Sequence, residues 1–224
     1  SQYDAKGLRE DLSDLIYSIS PTETPFMSGI GKEKATAVLH EWQTDSLASA
    51  VSNNAQIEGD EIGFSAPSAT TRVNNRTQIS RKSVIVSGTL DSVSKAGRNN
   101  ELAYQISKAS KELKRDMESS LCANNSPVVG DDSTARELAG LAGWIQTNND
   151  AGSGGANGLV SSVDVPGTAR TDGTQRAFTE SQLKNVIKKS WDEGGEPSMI
   201  ILGSFHNQVT PGFTGGSHRF APAE

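Results

Sequence analysis

The chain of 224 residues has a single cysteine, Cys122, and only three histidines, His40, His206 and His218. One cysteine excludes an internal disulfide framework, and no two histidines stand at the spacing of a helical metal-binding pair. No apolar run approaches the roughly 18 residues of a membrane span, and no basic-then-apolar leader is visible. Basic charge is also short: 21 Lys and Arg face 27 Asp and Glu, a net charge of −6. A general nucleic-acid-binding surface carries the opposite sign. Aromatics are 5% of the residues and hydrophobics 34%. With the 22 glycines counted, the apolar share rises to about 44%, a lean value for a globular chain. The length suits one large domain or two small ones. A core this lean implies long solvated segments, or apolar surface that is buried against copies of the same chain.

The pattern along the chain is uneven. Leu8, Leu12, Leu15, Ile16 and Ile19 recur at helical spacing, with Asp11 or Ser13 as cap. Ser20-Pro21 ends that helix. Pro21 to Phe26 is then expected to be extended or turning, because residues before proline are pushed from helical angles. Phe26, Met27 and Ile30 form a small apolar knot. Val38, His40 and Trp42 alternate with Ala37, Leu39 and Glu41, and Val73, Asn75, Thr77 and Ile79 alternate with Arg72, Asn74, Arg76 and Gln78. Both read as strands on either side of a polar stretch, Ser46 to Thr71, too long for an ordinary loop. Ser83 to Ser87 is short and apolar and predicts a buried strand. The outgoing limb carries Glu41, Asp45, Glu58, Asp60 and Glu61 and no base. The returning limb carries Arg72, Arg76, Arg81 and Lys82 and no acid. Such segregation fits cross-strand pairing within a hairpin or docking onto a neighbouring subunit.

From about Lys95 to Leu121, the residues Leu102, Ile106, Ala109, Leu113, Met117 and Leu121 form one apolar stripe on a long helix. Trp144 lies in an apolar stretch, Leu138 to Ile145. Residues 147–158 are rich in Gly, Ser and Asn and read as a flexible surface loop. They lack the spacing of a phosphate-binding glycine motif. Thr179 and Gln182 occupy the positions of a capping box, opening a helix whose buried face is Leu183, Val186, Ile187 and Trp191. Gly194-Gly195 stops it, and Pro197 to Gly203 follows as a continuous apolar strand.

Chemistry is sparse, and no catalytic, cofactor-binding or metal-ligating set is expected. No GxSxG elbow occurs. Ser217-His218 is the nearest approach to a nucleophile and base, in a polar tail. Cys122 reads as a structural thiol, and His40 as a strand-face residue beside Trp42. Asp131-Asp132 lacks the apolar surroundings of a general acid. Asn75-Arg76-Thr77 and Asn124-Asn125-Ser126 match the glycosylation sequon without a secretory context to give the match meaning.

Several strings carry a resemblance: Tyr3-Asp4-Ala5, Arg9 to Ile16, Ile19-Ser20-Pro21-Thr22-Glu23-Thr24-Pro25-Phe26, and His40-Glu41-Trp42-Gln43-Thr44-Asp45-Ser46-Leu47. They resemble tailed-bacteriophage major capsid proteins, in the family that groups podovirus head proteins of the SU ten type. The resemblance extends through the long helix to Met199–Ser204. It implies an α+β chain of the Hong Kong 97-type capsid fold. On that frame residues 1–33 form an N-terminal arm, 34–90 an extended β-hairpin loop, 91–147 a peripheral domain with the spine helix, and 148–224 an axial domain. The family's members continue past the point where Phe220-Ala221-Pro222-Ala223-Glu224 stands. The strand at Met199 to Leu202 should need partners on both sides, so the axial domain is expected to be incomplete.

The function implied is self-assembly into an icosahedral head shell, built from hexamers and pentamers, that encloses DNA without sequence-specific binding. Portal, scaffold or decoration proteins are the implied partners. No membrane is involved; assembly takes place in the host cytoplasm and the product resides in the virion. Trp42, Arg72, Arg76 and Arg81 are the expected inter-subunit contacts. A nanocompartment shell of the same fold, packing an enzyme rather than DNA, is the alternative. A hydrolase built on Ser217-His218 or Cys122 comes third.

Overall fold

A computed structural model of the chain describes residues 22–94, 97, 100–158 and 167–213. The first helix expected from sequence and the Ser217-His218 pair lie outside the described residues. Within them the chain is α+β, with one two-stranded sheet and several helices. It divides into two units: residues up to Gly31 with Ile79–Cys122, and Lys32–Gln78 with the residues from Ala123 onward.

The first unit is organised around one long helix. Among the described residues it holds three helices, α1 (Pro25–Gly29), α2 (Gly88–Ser92) and α3 (Glu101–Cys122). The stripe of apolar residues predicts α3 well, but its start is set by a cap. Asn100 Oδ1 accepts the backbone N–H of Ala103 at 2.7 Å, satisfying one of the donors that a helix leaves open at its first turn. Asp91 on α2 accepts from the backbone N–H of Glu101 at 3.1 Å. At about 1.5 Å per residue, 22 residues make a rod of roughly 33 Å.

Helix α1 replaces the extended segment expected at Pro25–Phe26. Proline is suited to the first helical position, because its missing N–H would have no partner there. The next two N–H groups are satisfied from α3. Glu118 receives Phe26 N–H on Oε1 at 2.8 Å and Met27 N–H on Oε2 at 2.7 Å. A carboxylate from a distant segment thus caps a five-residue helix that has no side-chain cap of its own.

The stretch Ser83–Ser87 corrects the sequence reading. It forms no strand, and Ile85 is 97% exposed. An apolar run becomes a strand only where a partner offers backbone groups, and among the described residues β1 and β2 pair with each other alone. The segment instead lies along α3, held by Lys82, whose Nζ stands 2.7 Å from Asp116 Oδ2.

The second unit holds the sheet. Strands β1 (Leu39–Thr44) and β2 (Thr71–Arg76) pair antiparallel, with Leu39 opposite Arg76, Trp42 opposite Val73 and Thr44 opposite Thr71. The rest of the unit carries α4 (Leu141–Trp144), α5 (Glu180–Asp192), α6 (Ser204–Val209) and a 3₁₀ turn at Thr210–Gly212. The capping box expected for α5 is present, with Thr179 N–H donating to Gln182 Oε1 at 3.0 Å. Its expected buried face is only half there: Leu183 and Val186 are half-buried, whereas Ile187 and Trp191 are exposed. Nor is Pro197–Gly203 a strand. Met199, Ile200 and Ile201 are exposed, again because no described strand runs beside them.

Residues 147–158 are tied down, contrary to the flexible loop expected. Ala156 and Thr171 exchange backbone hydrogen bonds at 3.1 and 2.8 Å. Arg176 pairs with Asp150 at 2.7 Å, and Lys189 of α5 donates to the Asn149 carbonyl at 2.8 Å. Glycine is required there by close approach: a Cβ on Gly158 would stand 2.1 Å from the Thr168 carbonyl oxygen.

The Glu118 clamp yields a direct test. Charge-assisted hydrogen bonds contribute about 1.5–3 kcal/mol each, so Glu118→Ala is expected to raise amide hydrogen exchange at Phe26 and Met27 by about tenfold or more. Glu118→Gln, which keeps one acceptor, should fall between. Unchanged protection in Glu118→Ala would show that α1 is held by its apolar contacts instead.

Candidate assembly surface

The hairpin is built upward from three asparagines, two of which the sequon match had set aside without a role. A side-chain amide has the donor and acceptor of a peptide group. Asn75 donates from Nδ2 to the Ala139 carbonyl at 3.1 Å and accepts Ala139 N–H on Oδ1 at 3.0 Å. Asn124 does the same with Arg170, at 2.7 and 3.0 Å. Asn125 donates to the Leu138 carbonyl at 2.7 Å and accepts Gly140 N–H at 3.1 Å. These bonds bind β2, the residues after α3 and the segment before α4 into one body. Gly140 is part of the device, since a Cβ there would meet the Ala123 carbonyl oxygen at 2.0 Å. Arg136 adds a bond from Nε to the Thr77 carbonyl at 2.6 Å. Ala139 is the sole buried hydrophobic side chain among the described residues, and it sits at the centre of this network.

Directly opposed residues of an antiparallel pair share a face. His40, Trp42, Val73 and Asn75 therefore lie on one face, and Glu41, Gln43, Arg72 and Arg76 on the other. On the first face Trp42 stacks against Trp144 with ring centroids 5.2 Å apart, and His40 lies 5.8 Å from Trp42. Trp42 keeps 39% of its surface open all the same. On the second face Arg72 reaches Glu41 at 3.8 Å with both side chains largely solvated, a pairing worth little by itself. Of the four residues expected to make contacts, Trp42, Arg72 and Arg76 thus stand on the hairpin, with the tryptophan on the face opposite the arginines. Arg81 belongs to the first unit.

Beyond the strands, every residue from 45 to 70 is exposed. This includes Leu47 at 100% and Phe64 at 97%. Midway along, Asp60 N–H donates to the Ile57 carbonyl at 3.2 Å, and Gly59 has φ +82°. That is a glycine turn, and it bunches Glu58, Asp60 and Glu61 at a tip flanked by Ile57, Ile62 and Phe64.

The groups once considered for catalysis are placed without catalytic company. His206 packs on Phe178 and Phe205. Asp131 is capped by the Ser133 hydroxyl and the N–H groups of Ser133 and Thr134, which lower its pKa to about 2. Cys122 ends α3; partial burial of the thiol, and then the Glu118 charge, push its pKa up. Among the described residues no three His, Cys, Asp or Glu side chains gather as a metal site, and no helix is long and apolar enough to cross a membrane.

The described residues thus hold a hairpin with a long solvated loop, a long helix and much open apolar surface. The comparisons name the class. The family model described as SU10 major capsid protein matches residues 1–224. A relative described as "Major capsid protein", from Escherichia phage Phieco32, is 31% identical over 238 residues, covering 94% of this chain and 68% of its own length. The chain belongs to the SU10 major capsid protein family. It is a structural protein of the phage capsid and resides in the virion, which sets aside the nanocompartment alternative.

Two measurements check this geometry. Asn75→Asp keeps the shape but replaces a donor with a carboxylate facing the Ala139 carbonyl. It is expected to destabilise the chain by about 1–3 kcal/mol in denaturant unfolding, and an unchanged midpoint would contradict the role assigned to Asn75. For Cys122 the raised pKa means less thiolate at any given pH than a free thiol has. Its alkylation rate should be slow at neutral pH and rise with a midpoint above that of the unfolded chain. A midpoint below it would mark an activated nucleophile.

Proposed function

We propose that the chain is a shell subunit of the Hong Kong 97-type fold that assembles with copies of itself into hexamers and pentamers of an icosahedral head enclosing DNA. In this reading 1–33 is the N-terminal arm, 34–90 the extended loop, 91–147 the peripheral domain with α3 as its spine helix, and 148–224 part of the axial domain. The extended loop of one subunit lies over the spine helix and peripheral domain of the next. Such heterologous contacts close into rings.

The observation that carries the reading is the exposure of residues 45–70 with Leu47 and Phe64 wholly open. Apolar side chains held on an ordered turn in water are unfavourable in an isolated chain and favourable once a neighbour covers them. Family membership supplies the neighbour. Trp42, Arg72, Arg76 and Arg81 are proposed contact residues, and portal, scaffold or decoration proteins are proposed further partners. The work is structural and requires no catalysis. The net charge of −6 suits a wall that surrounds DNA without gripping it.

Negative-stain microscopy of the expressed protein is expected to show closed shells of uniform size. Arg72→Glu and Arg81→Glu should lower the assembled fraction about tenfold, with circular dichroism of the unassembled chain unchanged. A compact monomer at every concentration would overturn the reading.

A further inference from the structure

Every acid of helix α3 has a partner within the chain. Glu101 is 2% exposed and accepts from the side-chain amide of Gln105 at 2.8 Å. Glu112 faces Lys108 at 3.9 Å, Asp116 holds Lys82, and Glu118 clamps α1. The bases are left over. Among the described residues no carboxylate stands within ion-pair reach of Lys111, Lys114 or Arg115, and all three are exposed. Lys111 stands three residues from Lys108 and Lys114 and four from Arg115, so these bases neighbour one another, an arrangement that destabilises an isolated helix. Helix α5 is built the other way: Lys184 has Glu180 at 2.6 Å and Lys188 has Asp192, each four residues away. A merely solvated face is better served by interspersed signs, and a bound anion relieves the repulsion that α3 retains.

The row offers charge without apolar area. Ala109 and Leu113 line the cavity on the side facing Lys82 and Val84, and Lys111 lies about 160° round the helix from each. Glu112 and Asp116 stand on one edge only, beside Arg115 in the recess they share with Lys82, and both are already paired. A protein partner's interface has an apolar core, whereas a phosphate backbone is held by cations alone. The rise from Lys108 to Arg115 is about 10 Å, a length over which one strand of duplex DNA carries about three phosphates. From this we infer that Lys108, Lys111, Lys114 and Arg115 form a contact for the phosphate backbone of double-stranded DNA. The inference rests on the shell reading, which brings DNA to the wall, and adds to it the residues that meet it. A few cations per copy make a weak contact that salt dissolves, in keeping with a net charge of −6. The apolar stripe, on the opposite side of α3, is left to protein contacts.

The test follows the anisotropy of a labelled DNA duplex of about 20 base pairs as unassembled full chain is added, at about 50 to 200 mM salt. Wild-type chain is expected to bind at the low end and to lose the duplex steeply as salt rises. K111Q/K114Q/R115Q should bind about tenfold or more weakly, with a log–log salt slope smaller by about 2 to 3, and should still form shells in negative stain. K111R/K114R, which keeps the charge, should stay within about twofold of wild type. K184Q/K188Q removes two lysines already paired on α5 and should also stay within about twofold. Wild-type shells with no duplex binding at low salt would overturn the contact and leave the shell reading standing. A drop in K184Q/K188Q as large as in the row variant would do the same. So would a row variant that binds duplex like wild type; loss of its assembly in that case would make the row a contact between copies. Failure of the wild-type chain to assemble at all would overturn both.

Discussion

The second unit depends on side-chain amides that stand in for peptide groups. A two-stranded hairpin is marginal in water without something packed against it, and this one has little core to pack on. Asn75, Asn124 and Asn125 solve that by bonding. Each satisfies a backbone N–H and a backbone C=O that no strand partner reaches. The arrangement is directional where apolar packing is not, so it fixes where the hairpin base sits relative to the segment before α4. It also explains why Gly140 is a glycine: a Cβ there would meet the Ala123 carbonyl oxygen at 2.0 Å. The first unit uses the same economy, with one carboxylate, Glu118, closing the start of α1.

How much of this the sequence discloses depends on where the deciding interaction lies. Where it is local, the reading succeeds. The alternation around Trp42 and Val73 gives both strands and places their residues on the faces observed. Thr179 and Gln182 mark the start of α5 because a capping box is complete within four residues. The apolar stripe of α3 is evident, although its first turn is set by Asn100, a cap that the periodicity does not include. Where the deciding partner is distant or absent, the reading fails. Ser83–Ser87 and Pro197–Gly203 have strand composition and, among the described residues, no strand beside them. The asparagines look like sequons because nothing in a triplet reveals that its amide meets a backbone 64 residues away. Glycines near 158 suggest looseness by composition and prove to be there because two backbones touch.

The residues expected to make contacts are placed by the structure on two different units. Segregated charge between the outgoing and returning limbs is real, yet its strongest observed use is not cross-strand. Arg72 pairs loosely with Glu41 at 3.8 Å on an exposed face, whereas Lys82 engages Asp116 on α3 at 2.7 Å. At the loop tip Asp60 accepts the N–H of Glu61 at 2.9 Å, and Glu58, Asp60 and Glu61 are all exposed. Trp42, chosen from sequence as a contact residue, is half committed already through its ring contact with Trp144. A partly open aromatic with one face seated is a stiff feature, and stiff features lose little entropy when a partner covers them.

The lean composition then acquires a physical meaning. Full burial of a large apolar side chain contributes about 1.5–3 kcal/mol. In this chain Leu47, Phe64, Ile79 and Ile85 realise almost none of it, each at 83% exposure or more. That free energy is held back from folding and becomes available on association. Among the described residues the hydrogen bonds and caps are satisfied within the chain, whereas much of the large apolar surface is left uncovered. Such a division favours assembly from folded copies, because the bonds that shape the hairpin and clamp α1 need no neighbour to form. It also makes the open chain vulnerable, since the same exposed side chains invite indiscriminate contact.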